Sequence, residues 1–229
     1  FSALQINRDL TLPAASVRVL DPVDTVESYG SCTVTIPALR AGRVGIVCGT
    51  VMSRLDANDR STRTGMYAQS QCHGVGRGHL AYYQALEQAG HLKILHRRDD
   101  LEEMASMWRN AEIGLDGSGP PLGLVLTMES ADPILNPDQV PEWHALGLRM
   151  VSLSHYGTST YSHGTATEGG LLPPAGPLLE ALQASGILVD VTHLTDQAHW
   201  ELMAMYDGPV SASHPNCPAL TPGQRQLTD

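Results

Sequence analysis

An α/β fold built on a parallel sheet is what the sequence predicts, and three observations carry it. Short apolar runs of strand length alternate with helix-length segments through most of the 229 residues. The clearest runs are rich in β-branched residues and bounded by Gly or Pro, as strands covered on both faces are. Four successive strands run into an ionisable residue: Glu129, His155, His193 and His214. A (β/α)8 barrel brings strand ends together at one mouth, whereas an open doubly wound sheet splays them apart. The predicted fold is therefore an α/β, (β/α)8 TIM-type barrel.

Taken in order, Phe1 to Val23 reads as irregular, broken by Pro13 and Pro22. A strand candidate follows at Thr33 to Pro37, and a clearer one at Arg43 to Met52. Tyr67 to Ala89 is helical, with Leu80, Tyr83, Leu86 and Ala89 at helical spacing and Gly90 as the stop. Gly74, Gly76 and Gly78 do not form a nucleotide loop. No strand precedes them, their spacing is wrong for a dinucleotide fingerprint, and no Gly-Lys-Ser/Thr follows.

Leu92 to His96 is a short strand. Asp99 opens a helix to about Ala111 with a capping-box-like Asp/Glu pair, and Gly114 to Pro121 is a loop. Leu122 to Met128 is a buried strand ending in Glu129. A helix around Pro137 to Leu146 leads into the strand from Arg149 to Ser154, which ends in His155. Tyr156 to Leu172 is rich in Gly, Ser and Thr and long enough to be a binding loop. Pro177 suits the first turn of a helix and Gly186 its end. Strand Ile187 to Val191, helix Asp196 to Tyr206 and strand Val210 to Ser213 complete the alternation.

Composition narrows the class of function. A formal net charge of -10 with no basic cluster excludes a nucleic-acid footprint. No stretch approaches the ~20 apolar residues of a membrane span. Cys32, Cys48, Cys72 and Cys217 are spread without a Cys-x-x-Cys pair, so neither a disulfide scaffold nor a zinc ribbon fits, and reduced thiols in a cytoplasmic protein are expected. A lone histidine at a strand end is more often structural than functional. The joint pattern of one carboxylate and three imidazoles on successive strand ends points to a metal site.

Several motifs resemble those of the membrane (renal) dipeptidase family, zinc metallopeptidases with an amidohydrolase-type barrel. They are Leu148-Arg-Met-Val-Ser-Leu-Ser-His155, Gly186-Ile-Leu-Val-Asp-Val-Thr-His193 and Pro209-Val-Ser-Ala-Ser-His-Pro-Asn-Cys217, followed by Arg225 and Asp229. The likeness extends to Asn7-Arg-Asp-Leu-Thr-Leu-Pro near the start, and the eleven-residue step from His214 to Arg225 fits too. The resemblance implies a dipeptidase that hydrolyses the amide bond of a dipeptide through a metal-bound hydroxide. It implies Glu129 as a carboxylate bridging two zinc ions and His193 and His214 as ligands of one of them. It implies His155 as the catalytic residue that contacts the scissile carbonyl, and Arg225 as the anchor of the substrate carboxylate. A homodimer is expected on the same ground. Asp190 reads as a structural partner with an outer-sphere role as the alternative. Asp132 and His163 read mainly as solvated polar residues of the mouth loops.

The chain also departs from the family pattern. No His-x-Asp pair, the family's early ligands, occurs anywhere, and the first histidine is His73. No strand after Arg225 carries the family's late aspartate. The expectation is a single metallohydrolase barrel domain truncated at both ends, covering roughly the second to sixth strands. Such a piece holds at most one zinc and is inactive by itself. Alternatives are a non-catalytic ligand-binding or inactive barrel paralogue, or another metal-dependent amidohydrolase.

Overall fold

Pro13 and Pro22, which interrupt any hydrophobic period in the sequence, sit directly before helices α1 (Ala14–Leu20) and α2 (Val23–Tyr29). The N-terminal segment is thus not irregular throughout. Proline's fixed φ starts a helix readily where no N–H is needed. The strand expected at Thr33 to Pro37 is likewise replaced by α3 (Ile36–Ala41). Its β-branched residues read as extended, but the Thr35 side chain caps the helix by accepting from the Ala38 N–H at 3.3 Å, and Pro37 fits the first turn.

The computed structural model describes residues 3–56, 65–114, 116–217, 219–223 and 226. After α3 come β1 (Ile46–Met52), β2 (Arg54–Leu55), β3 (Gly65–Met66), α4 (Gln69–Gln88) and β4 (Leu92–Ile94). They are followed by α5 (Arg98–Arg109), β5 (Leu122–Glu129), α6 (Val140–Ala145) and β6 (Leu148–Ser152). The chain closes with α7 (Ala175–Ala184), β7 (Leu188–Asp190), α8 (Asp196–Met205) and β8 (Val210–Ser211). The alternation read from the sequence is present from β4 onward. α5 starts at Arg98, one residue before the expected Asp99. Its capping carboxylate is Asp100, which accepts from the backbone N–H groups of His96 and Arg97 just before the helix, both at 2.9 Å. No helix among the described residues is long and apolar enough to cross a membrane.

The chain divides into two compact units, Phe1–Thr50 with His79–Leu126, and Val51–Gly78 with Thr127–Asp229. In the first, β4 runs parallel to β5, pairing Leu92 with Leu122 and Ile94 with Leu124. The Gly123 N–H donates to the Gly45 carbonyl at 2.8 Å, just before β1 begins. Leu80, Leu86, Leu92, Ile94, Leu122 and Leu124 are buried in this unit. His79 is buried with them, and burial pushes its imidazole down to about 4.

That shift has a consequence for acid stability. The unfolded chain protonates this histidine near ~6.5, so between roughly pH 6.5 and 4 the unfolded state holds more protons than the folded one. Stability contributed by neutral His79 is expected to be complete above that window and to be lost as pH falls through it. The loss is roughly 3 kcal/mol below the window. Thermal denaturation at pH 7 and 4.5 checks this, with His79→Leu showing the smaller difference.

In the second unit β6, β7 and β8 are parallel neighbours. Val151, Leu153, Val189 and Val191 are buried, as expected for strands covered on both faces. Trp143 on α6 and Leu178, Leu179 and Leu182 on α7 are buried in the same unit. The register sets up the chemistry. Ser152 pairs with Asp190, and Asp190 with Ser211, so the last residues of the three strands stand level.

Candidate metal centre

Each of these three strands is followed, three residues after its last, by a histidine: His155 after Ser152, His193 after Asp190 and His214 after Ser211. Level strand ends with equal overhangs put the imidazoles side by side, separated by about the ~4.8 Å between neighbouring strands. The ring centroids are indeed 4.1 Å apart for His155 and His193, and 5.2 Å for His193 and His214. Glu129, the last residue of β5, completes the group.

Glu129, His193 and His214 each offer a ligand atom, and these atoms lie within 4.8 Å of one another. His214 Nε2 is 3.3 Å from His193 Nε2 and 3.4 Å from a Glu129 carboxylate oxygen. Donors around a tetrahedral cation bound at ~2.0–2.2 Å stand about 3.3–3.6 Å apart. Two of the three donor pairs stand at that spacing, and a set of two imidazole nitrogens and a carboxylate suits a divalent cation such as zinc. His193 is buried, Glu129 half-buried and His214 exposed, so the group opens to solvent on one side.

The nitrogens facing away from the cluster are occupied. His193 Nδ1 lies 3.1 Å from the Thr165 hydroxyl, and His214 Nδ1 lies 2.7 Å from the Ser213 hydroxyl. Metal-binding histidines are held in this way, through the ring nitrogen that does not bind. His193 takes φ +75°, a left-handed conformation uncommon outside glycine, and Ser130, directly after Glu129, takes φ +68°. Strain of this kind concentrates at functional sites.

His155 belongs to the same cluster. Its backbone is pinned by the Thr165 N–H, which donates to the His155 carbonyl at 3.0 Å. A Cβ on Gly164 would stand 2.2 Å from that carbonyl, so only glycine permits the approach. Tyr156 adds an aromatic wall, its ring 5.1 Å from His155 and 5.5 Å from His193. Arg54, buried on β2, donates to the Tyr156 carbonyl at 3.0 Å and pairs with Asp56. Tyr156, Arg54, Thr165 and Ser213 were not singled out from the sequence. Tyr156 and Thr165 lie in the expected binding loop, and Tyr156 and Ser213 each stand next to a strand-end histidine; Arg54 carries no such signal.

One expectation changes. Asp132 is not a solvated loop residue. It is fully buried, and its two oxygens accept from the Leu55 N–H, the Ser130 hydroxyl and both the N–H and hydroxyl of Thr160 at 2.8–2.9 Å. Every acceptor position faces a protein donor, so the group is structural. His163 stays half-exposed, with Nδ1 3.1 Å from the Thr158 hydroxyl and no place in the three-donor group. Arg225 and Asp229 lie outside the described residues.

The family model for membrane dipeptidase (peptidase family M19) matches residues 7–229. The chain belongs to the membrane dipeptidase family. Within the curated proteins it is 28% identical over 117 residues to an uncharacterized protein in the PQQ-III 3' region of Acinetobacter calcoaceticus, covering 47% of this chain and 37% of that protein. It is 29% identical over 91 residues to the dipeptidase tcpJ of Claviceps purpurea, covering 38% of this chain and 21% of that one. The match therefore spans well under half the length of either relative. Among solved structures, a metallo peptidase from Rhodobacter sphaeroides, liganded with a phosphinate mimic of the dipeptide L-Ala-D-Ala, is similar with a TM-score of 0.70. The match covers 87% of this chain and 61% of that one, and at 20% identity it speaks for the fold. The shared fold is α/β with a mostly parallel sheet.

Proposed function

We propose that this membrane dipeptidase family member is a zinc-dependent dipeptidase, its parallel sheet part of a (β/α)8 barrel. The observation that carries the reading is the grouping of Glu129, His193 and His214, whose ligand atoms lie within 4.8 Å of one another. A zinc ion held by these residues supplies Lewis acidity and acidifies water to a pKa near ~7.

The side chains have separable tasks. Glu129 brings the negative charge that two neutral imidazoles lack. His193, rigid in its buried left-handed position, fixes one donor direction. His155 stands beside His193 at the edge of the cluster, where an N–H stabilises the oxyanion that develops as the amide is attacked. Tyr156 walls the same edge. Arg225 takes the substrate carboxylate in its planar fork.

Dipeptide hydrolysis by the full-length protein that carries this chain is expected to disappear on chelation and return with zinc. His155→Ala is expected to lower kcat on the order of 10²–10³-fold with zinc content unchanged. Full activity after exhaustive chelation, or an unaltered kcat in the variant, would contradict the assignment.

A further inference from the structure

Asp190 lies behind the metal cluster, and its surroundings determine where hydrogens sit. It is buried at 3% exposure and accepts from four donors. These are the Thr192 N–H at 3.1 Å, the Thr192 hydroxyl at 2.7 Å, the Ser213 N–H at 3.1 Å and the Ser213 hydroxyl at 2.5 Å. Both hydroxyl hydrogens are therefore committed to the carboxylate, because a buried anion without its donors costs several kcal/mol. The Ser213 oxygen, with its own hydrogen spent on Asp190, faces His214 Nδ1 at 2.7 Å and can only accept there. The hydrogen of that contact must then reside on His214 Nδ1.

We propose that Asp190 acts through the Ser213 hydroxyl as a positioning residue for His214, holding the ring hydrogen on Nδ1 so that the Nε2 lone pair faces the metal. The hydrogen-bond chain runs His214 Nδ1–H to Ser213 Oγ, then Ser213 O–H to Asp190 Oδ2. It is the carboxylate–histidine–metal arrangement with one hydroxyl inserted. The chain does two things: it selects the tautomer, and it carries the carboxylate's charge toward the imidazole, which strengthens Nε2 as a donor. His193 has its own hydroxyl partner in Thr165, so the two ligands are held independently. The assignment rests on His214 being a metal ligand, the reading proposed above.

The test uses two measurements: zinc affinity by competition with a chromophoric chelator, and the ¹⁵N shifts of the His214 ring in metal-free protein. Wild type is expected to show hydrogen on Nδ1. Ser213 is exposed, so Ser213→Ala should fold, lose the tautomer preference and bind zinc 10–100-fold more weakly. Ser213→Thr should restore both. Asp190→Asn, whose amide donates to Ser213 and turns the hydroxyl around, should move the hydrogen to Nε2. A filler role for Ser213 would move neither readout, and unchanged affinity and tautomer in Ser213→Ala overturn the proposal. Absence of zinc binding in wild type would instead remove the metal reading, while the ring shifts would still decide the hydrogen-bond chain.

Discussion

Asp132→Ala is expected to destabilise the protein by about 3–5 kcal/mol, because it strands several buried donors at once. The carboxylate ties three segments together: the Leu55 N–H, the Ser130 hydroxyl, and the N–H and hydroxyl of Thr160 all point at it. Both hydroxyls can turn to other partners after truncation, but the two backbone N–H groups cannot. Asp132→Asn should cost less, since the amide keeps one acceptor and sets its own donors against those of the neighbours. Ser130 follows Glu129 in a left-handed conformation, so loosening it frees the metal-facing carboxylate as well. Urea denaturation measures the first effect and zinc affinity the second. A loss below about 1 kcal/mol would mean that water replaces the carboxylate at little cost.

Glu129→Gln is expected to weaken zinc binding by more than about 100-fold, beyond the range typical for loss of an outer-sphere partner. The amide is nearly isosteric, so the fold should persist. What disappears is the negative charge facing two neutral imidazoles, and with it the charge balance of a divalent cation. His193→Ala should weaken binding similarly but also cost stability, because that ring is buried while Glu129 is half-exposed. Equal zinc affinity in Glu129→Gln and wild type would mean that the carboxylate is a neighbour of the site and not part of it.

That three short apolar strands each run into a histidine is legible in the sequence, but their common three-residue overhang is not. Read to Ser154, Val191 and Ser213, the strands stop one, two and one residues before His155, His193 and His214, whereas β6, β7 and β8 end at Ser152, Asp190 and Ser211. Equal overhangs on level parallel strands leave the imidazoles little choice but to meet. Thr165 was hidden because it reaches His193 from 28 residues upstream, through a loop whose path no periodicity fixes. The burial of Asp132 is hidden for a related reason: its donors come from positions 77 and 28 residues away, and burial by distant segments leaves no local mark. At the N-terminus, Pro13 and Pro22 looked like interruptions although each precedes a helix, because proline signals both.

Zinc K-edge X-ray absorption of the zinc-loaded protein tests the central claim most directly, because it reports the donor atoms themselves. The account predicts a shell of only nitrogen and oxygen at ~2.0–2.2 Å with the outer scattering of two imidazoles. In Glu129→Gln that signature should be weakened or absent. A sulfur shell near ~2.3 Å, which would place the ion on cysteine, or a spectrum without imidazole scattering, would contradict it.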